Sequence, residues 1–173
     1  MSRKIINIIL IIFAALFQIS FLNNQIIFLG GFNLILILLI FISLLNYEYG
    51  LYFILLSALV LELYSPYPAG LLFFSYFITF LAIIWMFRNF FTNKSLYSLI
   101  VIGFIGTLCY NILFYVSNEA FFLLNMNYFS IKLDGRYFIN LSFQLIFNLM
   151  WLAILFIFFR IINKKMRAAF IIK

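Results

Sequence analysis

Long apolar runs separated by short polar or basic interruptions make up this chain, and the runs have the length of helices rather than strands. The alternating pattern of a transmembrane barrel is missing, and a helix satisfies every backbone group in lipid within its own segment. The pattern predicts six helices, at about 5–22, 32–45, 50–64, 71–87, 96–116 and 138–159. We therefore expect a single membrane domain, 1–173, of the all-α class with six transmembrane helices.

The first two runs bear on the number of spans. Ile5 to Leu22 has the 18 residues of a minimal span, and no A-x-A-like cleavage site follows it, so we expect a retained helix rather than a signal peptide. Phe32 to Leu45 would be only about 21 Å long as a helix, short of a hydrocarbon core of about 30 Å. If the second and third helices form a shallow re-entrant pair, four spans remain.

Composition separates the chain from soluble domains. Of its 173 residues, 68% are hydrophobic and 9% are charged, whereas about 25% are charged in a typical soluble protein. The mean hydropathy is +1.24. Together with the helical pattern, these values predict an integral membrane protein that contacts the lipid bilayer along most of its length.

Basic residues cluster on one side of the predicted topology. With both termini cytoplasmic, nine basic residues fall inside and only Lys132 and Arg136 fall outside, the bias that the positive-inside rule describes. The rule then requires an even number of spans in a plasma membrane. Because the charges lie at segment ends, the net charge of +7 indicates topology and not a nucleic-acid partner. The nine inner residues are Arg3, Lys4, Arg88, Lys94, Arg160, Lys164, Lys165, Arg167 and Lys173.

The side chains of common catalytic and metal sites are scarce. Histidine is absent and Cys109 is the single cysteine, which excludes disulfides within the chain, Cys/His metal sites and imidazole base chemistry. The sequence also lacks a pair of carboxylates for general acid–base catalysis within the apolar runs, since Glu62 is the only acidic residue well inside one. We predict no catalytic residue, no cofactor and no enzymatic activity.

The stretch LVLELYSPYPAG, Leu59 to Gly70, predicts a sharp corner after the third helix. An acidic residue at the centre of a membrane helix costs about 2.5–3.5 kcal/mol, so Glu62 is expected near an interface or against protein. The only two prolines lack N–H groups and end the helix. The carboxylate could reach water, accept hydrogen bonds from freed backbone N–H groups, or bind a partner; a proton relay lacks a second intramembrane acid. The predicted corner consists of Glu62, Ser65, Pro66, Pro68 and Gly70.

Small and polar residues recur at four-residue spacing on the fifth and sixth predicted helices, which places each set on one helix face. They are Gly103, Thr107 and Asn111 in the fifth helix and Asn140, Gln144 and Asn148 in the sixth. Helix contacts in lipid favour small residues and amide or hydroxyl hydrogen bonds, worth about 0.6 kcal/mol each. We interpret the two sets as a polar interhelical stripe, with a pocket for a ligand or a lipid head group as the alternative.

A more specific pattern runs from about Asn33 to Tyr76. It consists of an apolar helix, a polar link ending in Gly50, a helix with Ala58 four residues before Glu62, and then Ser65, a proline and Ala69-Gly70-Leu71. This pattern resembles the bacterial rod shape-determining protein MreD family, and the length, the six-helix plan and the basic tail extend the likeness over most of the chain. Members of that family more often carry Asp and additional glycines along the helix, where this chain has Glu62, Ser57 and Ala58.

The resemblance implies a non-enzymatic membrane component of the bacterial cell-elongation machinery, which supports cell shape and lateral peptidoglycan synthesis in the cell wall. It would act in the inner membrane through an MreC-like single-span protein and other elongation-complex membrane proteins. The family fold is similar to the substrate-binding subunits of energy-coupling-factor vitamin transporters, and such a subunit is the alternative function. The small-residue signature often found in the first helix of those subunits is not evident here, where Ala14 and Ala15 are adjacent.

Overall fold

The regular structure of the described part of the chain is entirely helical, which confirms the all-α class. The computed structural model describes the backbone of residues 2–22, 32–91, 95–125, 131 and 133–171, and the side chains of 8–20, 32–91, 95–125, 131 and 133–162. The helices are α1 (Ser2–Phe17, continued by a π-helical turn, Gln18–Leu22), α2 (Leu34–Leu45), α3 (Tyr47–Leu63), α4 (Leu71–Asn89), α5 (Leu96–Leu123) and α6 (Gly135–Ile171).

Three of these helices are long and apolar enough to cross a membrane: α4, α5 and the Gly135–Ile162 part of α6. Two shorter apolar stretches, Ile8–Ser20 and Leu34–Leu45, accompany them. Large apolar side chains such as Phe13, Trp85 and Phe158 are exposed on the outside of the bundle. An apolar exterior of this kind suits lipid better than water.

The short helix α2 lies at the centre of the bundle. It contacts every other described helix, and seven of its residues are buried. Its 12 residues make a helix of about 18 Å. The second apolar run, predicted as 32–45, therefore forms a short helix between its two caps, Asn33 and Asn46.

The link between α2 and α3 is a single residue, Asn46, whereas the sequence placed the start of the third helix at Gly50. The Asn46 N–H donates to the Ile42 carbonyl at 2.8 Å, and its Oδ1 accepts from the Glu48 N–H at 2.9 Å. One asparagine thus caps the end of one helix and the start of the next. The ring of Tyr47 lies 5.0 Å from the Arg88 guanidinium, so the carboxyl end of α4 returns to this end of the bundle.

The fifth and sixth helices are longer than predicted. α5 continues past Val116 to Leu123, because the intervening sequence contains neither proline nor glycine, and it ends where Asn125 takes a left-handed backbone with φ of 56°. α6 begins at Gly135, before the predicted 138, because Asp134 Oδ1 accepts a hydrogen bond from the Tyr137 N–H at 2.9 Å. It also runs beyond 159 into the basic tail.

Membrane orientation rests on the sequence. Of the eleven basic residues, only Arg88, Arg136 and Arg160 lie among the described side chains; the other eight fall outside them. Arg88 ends α4 at the same end of the bundle as Asn46. In the predicted topology, this is the cytoplasmic end.

Candidate functional site: a capped corner and a buried polar network

Glu62 ties the end of α3 to the start of α4. Its Oε1 accepts a hydrogen bond from the Gly70 N–H at 2.5 Å, and its Oε2 accepts from the Phe73 N–H at 3.1 Å. Gly70 precedes α4 and Phe73 is its third residue, so these two N–H groups are among the four that a helix start leaves without partners. A carboxylate from the preceding helix therefore caps α4, where its charge also complements the helix dipole.

The rest of the corner explains why the cap comes from a distant residue. Gly70 occupies the N-cap position with φ of 98° and has no side chain to cap the helix. The Ser65 Oγ accepts from the Tyr67 N–H at 3.1 Å, and the Pro68 carbonyl accepts from the Leu71 N–H at 3.2 Å. The five predicted corner residues thus lie together in one hydrogen-bonded turn. Of the roles considered for Glu62, the structure shows the hydrogen bonds to freed backbone N–H groups.

Apolar side chains project from this corner. Leu63 is 82% exposed, and Tyr64 and Pro66 are also exposed. The capped turn fixes the backbone beneath them, so this surface can bind a partner with little loss of conformational entropy. We call Leu63, Tyr64 and Pro66 the corner surface.

The polar stripe forms the hydrogen bonds of a helix contact between α5 and α6. Asn111 Nδ2 donates to Gln144 Oε1 at 2.9 Å, and Asn148 Nδ2 donates to Thr107 Oγ1 at 3.3 Å. Gly103 lets the helices approach closely, since a Cβ at that position would lie 2.5 Å from a methyl carbon of Leu152. The structure therefore supports the interpretation of these residues as interhelical packing.

Asn140 does not join this network. Its side chain is exposed, although it lies one turn before Gln144 on the same helix. Five of the six predicted stripe residues are thus brought together, and the stripe ends at the Asn111–Gln144 pair.

The same network reaches residues outside the predicted stripe. Asn33 Oδ1 accepts hydrogen bonds from the Leu36 N–H at 3.0 Å, the Tyr76 hydroxyl at 2.8 Å and the Gln18 amide at 3.3 Å. The Asn33 N–H donates to Asn148 Oδ1 at 3.4 Å. The sequence signal for this part of the network was Gln18, a polar residue within the first apolar run, which could have indicated a buried hydrogen-bonding site.

These bonds satisfy the buried start of α2. Gln18 lies in the π-helical turn that continues the first helix, and its Oε1 accepts a hydrogen bond from the Ile35 N–H at 2.8 Å. Together with Asn33, it supplies partners for N–H groups that would otherwise be unpaired in an apolar interior, where each would cost several kcal/mol. The amino end of α2 is thus fixed between α1, α4 and α6.

A cavity of 590 Å³ lies between this network and the corner. Among the described residues, its lining contains no charged side chain, and burial raises the pKa of the Tyr67 phenol, which keeps it a neutral donor. Tyr67 packs edge-on against Phe114, with 5.1 Å between the ring centroids. The polar lining residues are Gln18, Asn33, Tyr64, Ser65, Tyr67, Tyr110 and Gln144. Amides, hydroxyls and aromatic rings of this kind suit a neutral molecule with hydrogen-bonding groups.

The helices and these two polar regions define an all-helical protein in which three helices can cross a membrane. The chain matches no protein-family model, no curated protein and no solved structure. A proposal for its function therefore rests on its own contacts and charges, together with the sequence pattern from Asn33 to Tyr76.

Proposed function

We propose that this protein is a non-enzymatic component of the bacterial cell-elongation machinery, similar to the MreD family, with six spans and both termini in the cytoplasm. In this proposal it lies in the inner membrane and supports rod shape and lateral peptidoglycan synthesis through protein partners. The main support is the corner: the residues that carry the family resemblance include Glu62 and Gly70, and these two are hydrogen-bonded to each other. A feature of the sequence pattern thus has a defined structural role.

The partner contact in this proposal is the corner surface. It is apolar, it is exposed, and it is held by a capped turn, which are the properties of a pre-organised contact site. An MreC-like single-span protein would place its membrane helix, or the segment just outside it, against Leu63 and Tyr64. Tyrosine is one of the residues that most often carry the binding energy of interfaces, and Leu63 beside it adds apolar contact area.

The experiment is copurification from rod-shaped bacteria that carry the full chain and an MreC-like partner. Leu63→Ser should reduce the copurified partner at least several-fold and broaden the cells, without loss of inserted protein. Leu123→Ser is the matched control, because Leu123 is 79% exposed but lies at the end of α5. Equal partner recovery with both variants would contradict the docking surface. Full rod shape in cells that lack the protein would contradict the proposed function.

The 590 Å³ cavity favours the second candidate, a substrate-binding subunit of an energy-coupling-factor vitamin transporter. In the predicted topology it lies toward the outer end, and its neutral polar lining fits a small uncharged molecule. Mass spectrometry of the purified protein distinguishes the two candidates. A vitamin retained in equal amount with the protein, and lost in Gln144→Leu, would favour the transporter subunit over the elongation component.

A further inference from the structure

A second cavity, of 460 Å³, lies at the carboxyl end of α2, at the opposite end of that helix from Asn33. The helices α2, α3 and α4 form its walls. Its polar lining residues are Ser43, Asn46, Tyr47, Glu48 and Arg88, and Leu44 and Phe87 are among its apolar ones. It is thus a mixed site: Glu48 and Arg88 are exposed, whereas Leu44 is buried and Ile84 and Phe87 are partly buried, and we call these three apolar residues its apolar base.

The Ser43 hydroxyl is the feature of this cavity that most needs an explanation. Ser43 is 7% exposed, and its Oγ is the one buried polar side-chain atom without a hydrogen-bond partner in the described part of the chain. Other buried hydroxyls on these helices donate to the carbonyl one turn earlier, as Ser57, Ser75 and Thr79 do at 2.7–2.8 Å. A buried hydroxyl without a partner is unfavourable, so this atom is suited to a bound group.

Local packing favours the same conclusion. Gly50 faces Ser43 across the contact between α2 and α3, and a Cβ at that position would lie 2.6 Å from the Ser43 Oγ. The glycine therefore leaves space for the hydroxyl. The Oγ is enclosed in this contact, but Ser43 also lines the cavity, so a turn of the side chain about χ1 would be needed to bring the hydroxyl to a ligand there.

The charges of the cavity define the ligand. The Arg88 guanidinium lies over the Tyr47 ring, 5.0 Å from its centroid, and the Tyr47 hydroxyl donates to Glu48 Oε1 at 3.5 Å. One cation and one carboxylate thus flank the same ring. A purely anionic ligand would face Glu48 and a purely cationic one would face Arg88, whereas a ligand carrying both charges complements both side chains.

The surroundings indicate a lipid as the source of that ligand. Tyr47, Tyr49, Tyr52 and Trp85 are exposed on the adjoining helices α3 and α4, and Trp and Tyr concentrate at the depth of lipid head groups. Arg88 ends a helix that can cross the membrane. The apolar base of the cavity can accept the glycerol region and the first methylene groups of the acyl chains.

We propose that this cavity binds the phosphoethanolamine head group of a membrane phospholipid. Arg88 and Ser43 donate hydrogen bonds to the phosphate, and Glu48 accepts one from the primary ammonium. This site is independent of the proposed role in cell elongation, because it uses none of the corner residues.

Native mass spectrometry of the full chain in phospholipid-free detergent tests the proposal. Three lipids with identical acyl chains are titrated: phosphatidylethanolamine, phosphatidylcholine, which has no N–H on its cation, and phosphatidylglycerol, which has no cation. We expect phosphatidylethanolamine to bind about tenfold more tightly than either of the others, which is the effect of one charge-assisted hydrogen bond. Equal binding of the three lipids would overturn the proposal.

Variants assign the contacts. Glu48→Gln should lower binding of phosphatidylethanolamine about tenfold and leave phosphatidylglycerol unchanged or tighter, because only the ammonium contact is lost. Ser43→Ala should weaken both lipids without lowering thermal stability, since it removes a hydroxyl that the protein itself leaves unpaired. Glu119→Gln is the matched control and should change neither. An unchanged lipid preference in Glu48→Gln, or unchanged affinity in Ser43→Ala, would refute the assigned contacts.

The last arm distinguishes a lipid from a soluble metabolite with the same head group. Free phosphoethanolamine at the lipid's concentration should protect the protein against thermal unfolding far less than the lipid does, because it cannot use the apolar base. Equal protection by the free compound would refute a lipid as the occupant.

Discussion

Replacing Glu62 by Gln tests whether the carboxylate holds α3 and α4 together. The carboxylate accepts from two N–H groups, at Gly70 and at Phe73. A glutamine offers one amide oxygen, and its NH₂ group would face the second N–H. One charge-assisted hydrogen bond is therefore lost, which costs about 1.5–3 kcal/mol, and so is the favourable charge at the helix start, worth about 0.3–1 kcal/mol.

Because Glu62 is only partly buried, water can replace part of the lost interaction, and we take the lower end of these ranges. The expected loss is then about 2 kcal/mol of unfolding free energy, or about 4–8 °C in melting temperature for a chain of this length. The single cysteine, Cys109, is half-buried in α5, so a thiol-reactive dye reports unfolding in detergent. Glu48→Gln is the control: Glu48 is exposed in the first turn of α3 and makes no hydrogen bond to backbone among the described residues, so only the favourable charge at that helix start is lost and the change should stay below about 1 kcal/mol.

Equal melting temperatures for Glu62→Gln and Glu48→Gln would refute the capping role. Stability and the amount of recovered partner, measured together, distinguish two roles of the carboxylate. If Glu62→Gln keeps its stability but loses the partner, the carboxylate contacts the partner directly. If stability and partner fall together, the carboxylate acts by fixing the corner.

Three further variants test the interior. Gly103→Ala should destabilise the protein by about 1–2 kcal/mol through overpacking against Leu152, and the double variant with Leu152→Ala should cost less than the sum of the two, as measured by the same thiol assay. Asn148→Leu should cost about 1–3 kcal/mol because it leaves buried partners unpaired; Asn140→Leu, at an exposed position on the same helix, should cost less than about 0.5 kcal/mol. Asn33→Ala should lower the melting temperature more than Gly103→Ala or Asn148→Leu does, because three donors lose their shared acceptor. A smaller effect than that of Asn148→Leu would contradict the role of Asn33 as the shared acceptor.

Helix boundaries were predictable where the sequence carries a local signal. The start of α4 at Leu71 follows from the two prolines and Gly70, and the start of α5 at Leu96 follows from Ser95, which caps it. The end of α5 carries no such signal, since Ser117 to Leu123 has neither glycine nor proline, and the actual stop depends on the backbone of Asn125.

The polar network was predictable only along single helices. Four-residue spacing identifies residues that share a face, as Gly103, Thr107 and Asn111 do, but not how far the neighbouring helix follows that face, and so Asn140 was included. Gln18, Asn33 and Tyr76 belong to three different segments with no common period. Their contacts depend on how the helices pack, which local sequence does not specify.

The short length of α2 accounts for the positions of both cavities. A helix of about 18 Å cannot fill a core of about 30 Å, so roughly 12 Å of the central column must be filled by other groups. At its amino end, Phe32 and Asn33 line the 590 Å³ cavity; at its carboxyl end, Ser43 and Asn46 line the 460 Å³ cavity. The two cavities also differ in the charge of their lining residues. The one near the corner is lined by neutral groups, whereas the one at the Arg88 end is lined by one acidic and one basic side chain, Glu48 and Arg88. One additional turn at either end of α2 would extend into the cavity at that end, so the short length of this helix leaves room for both cavities.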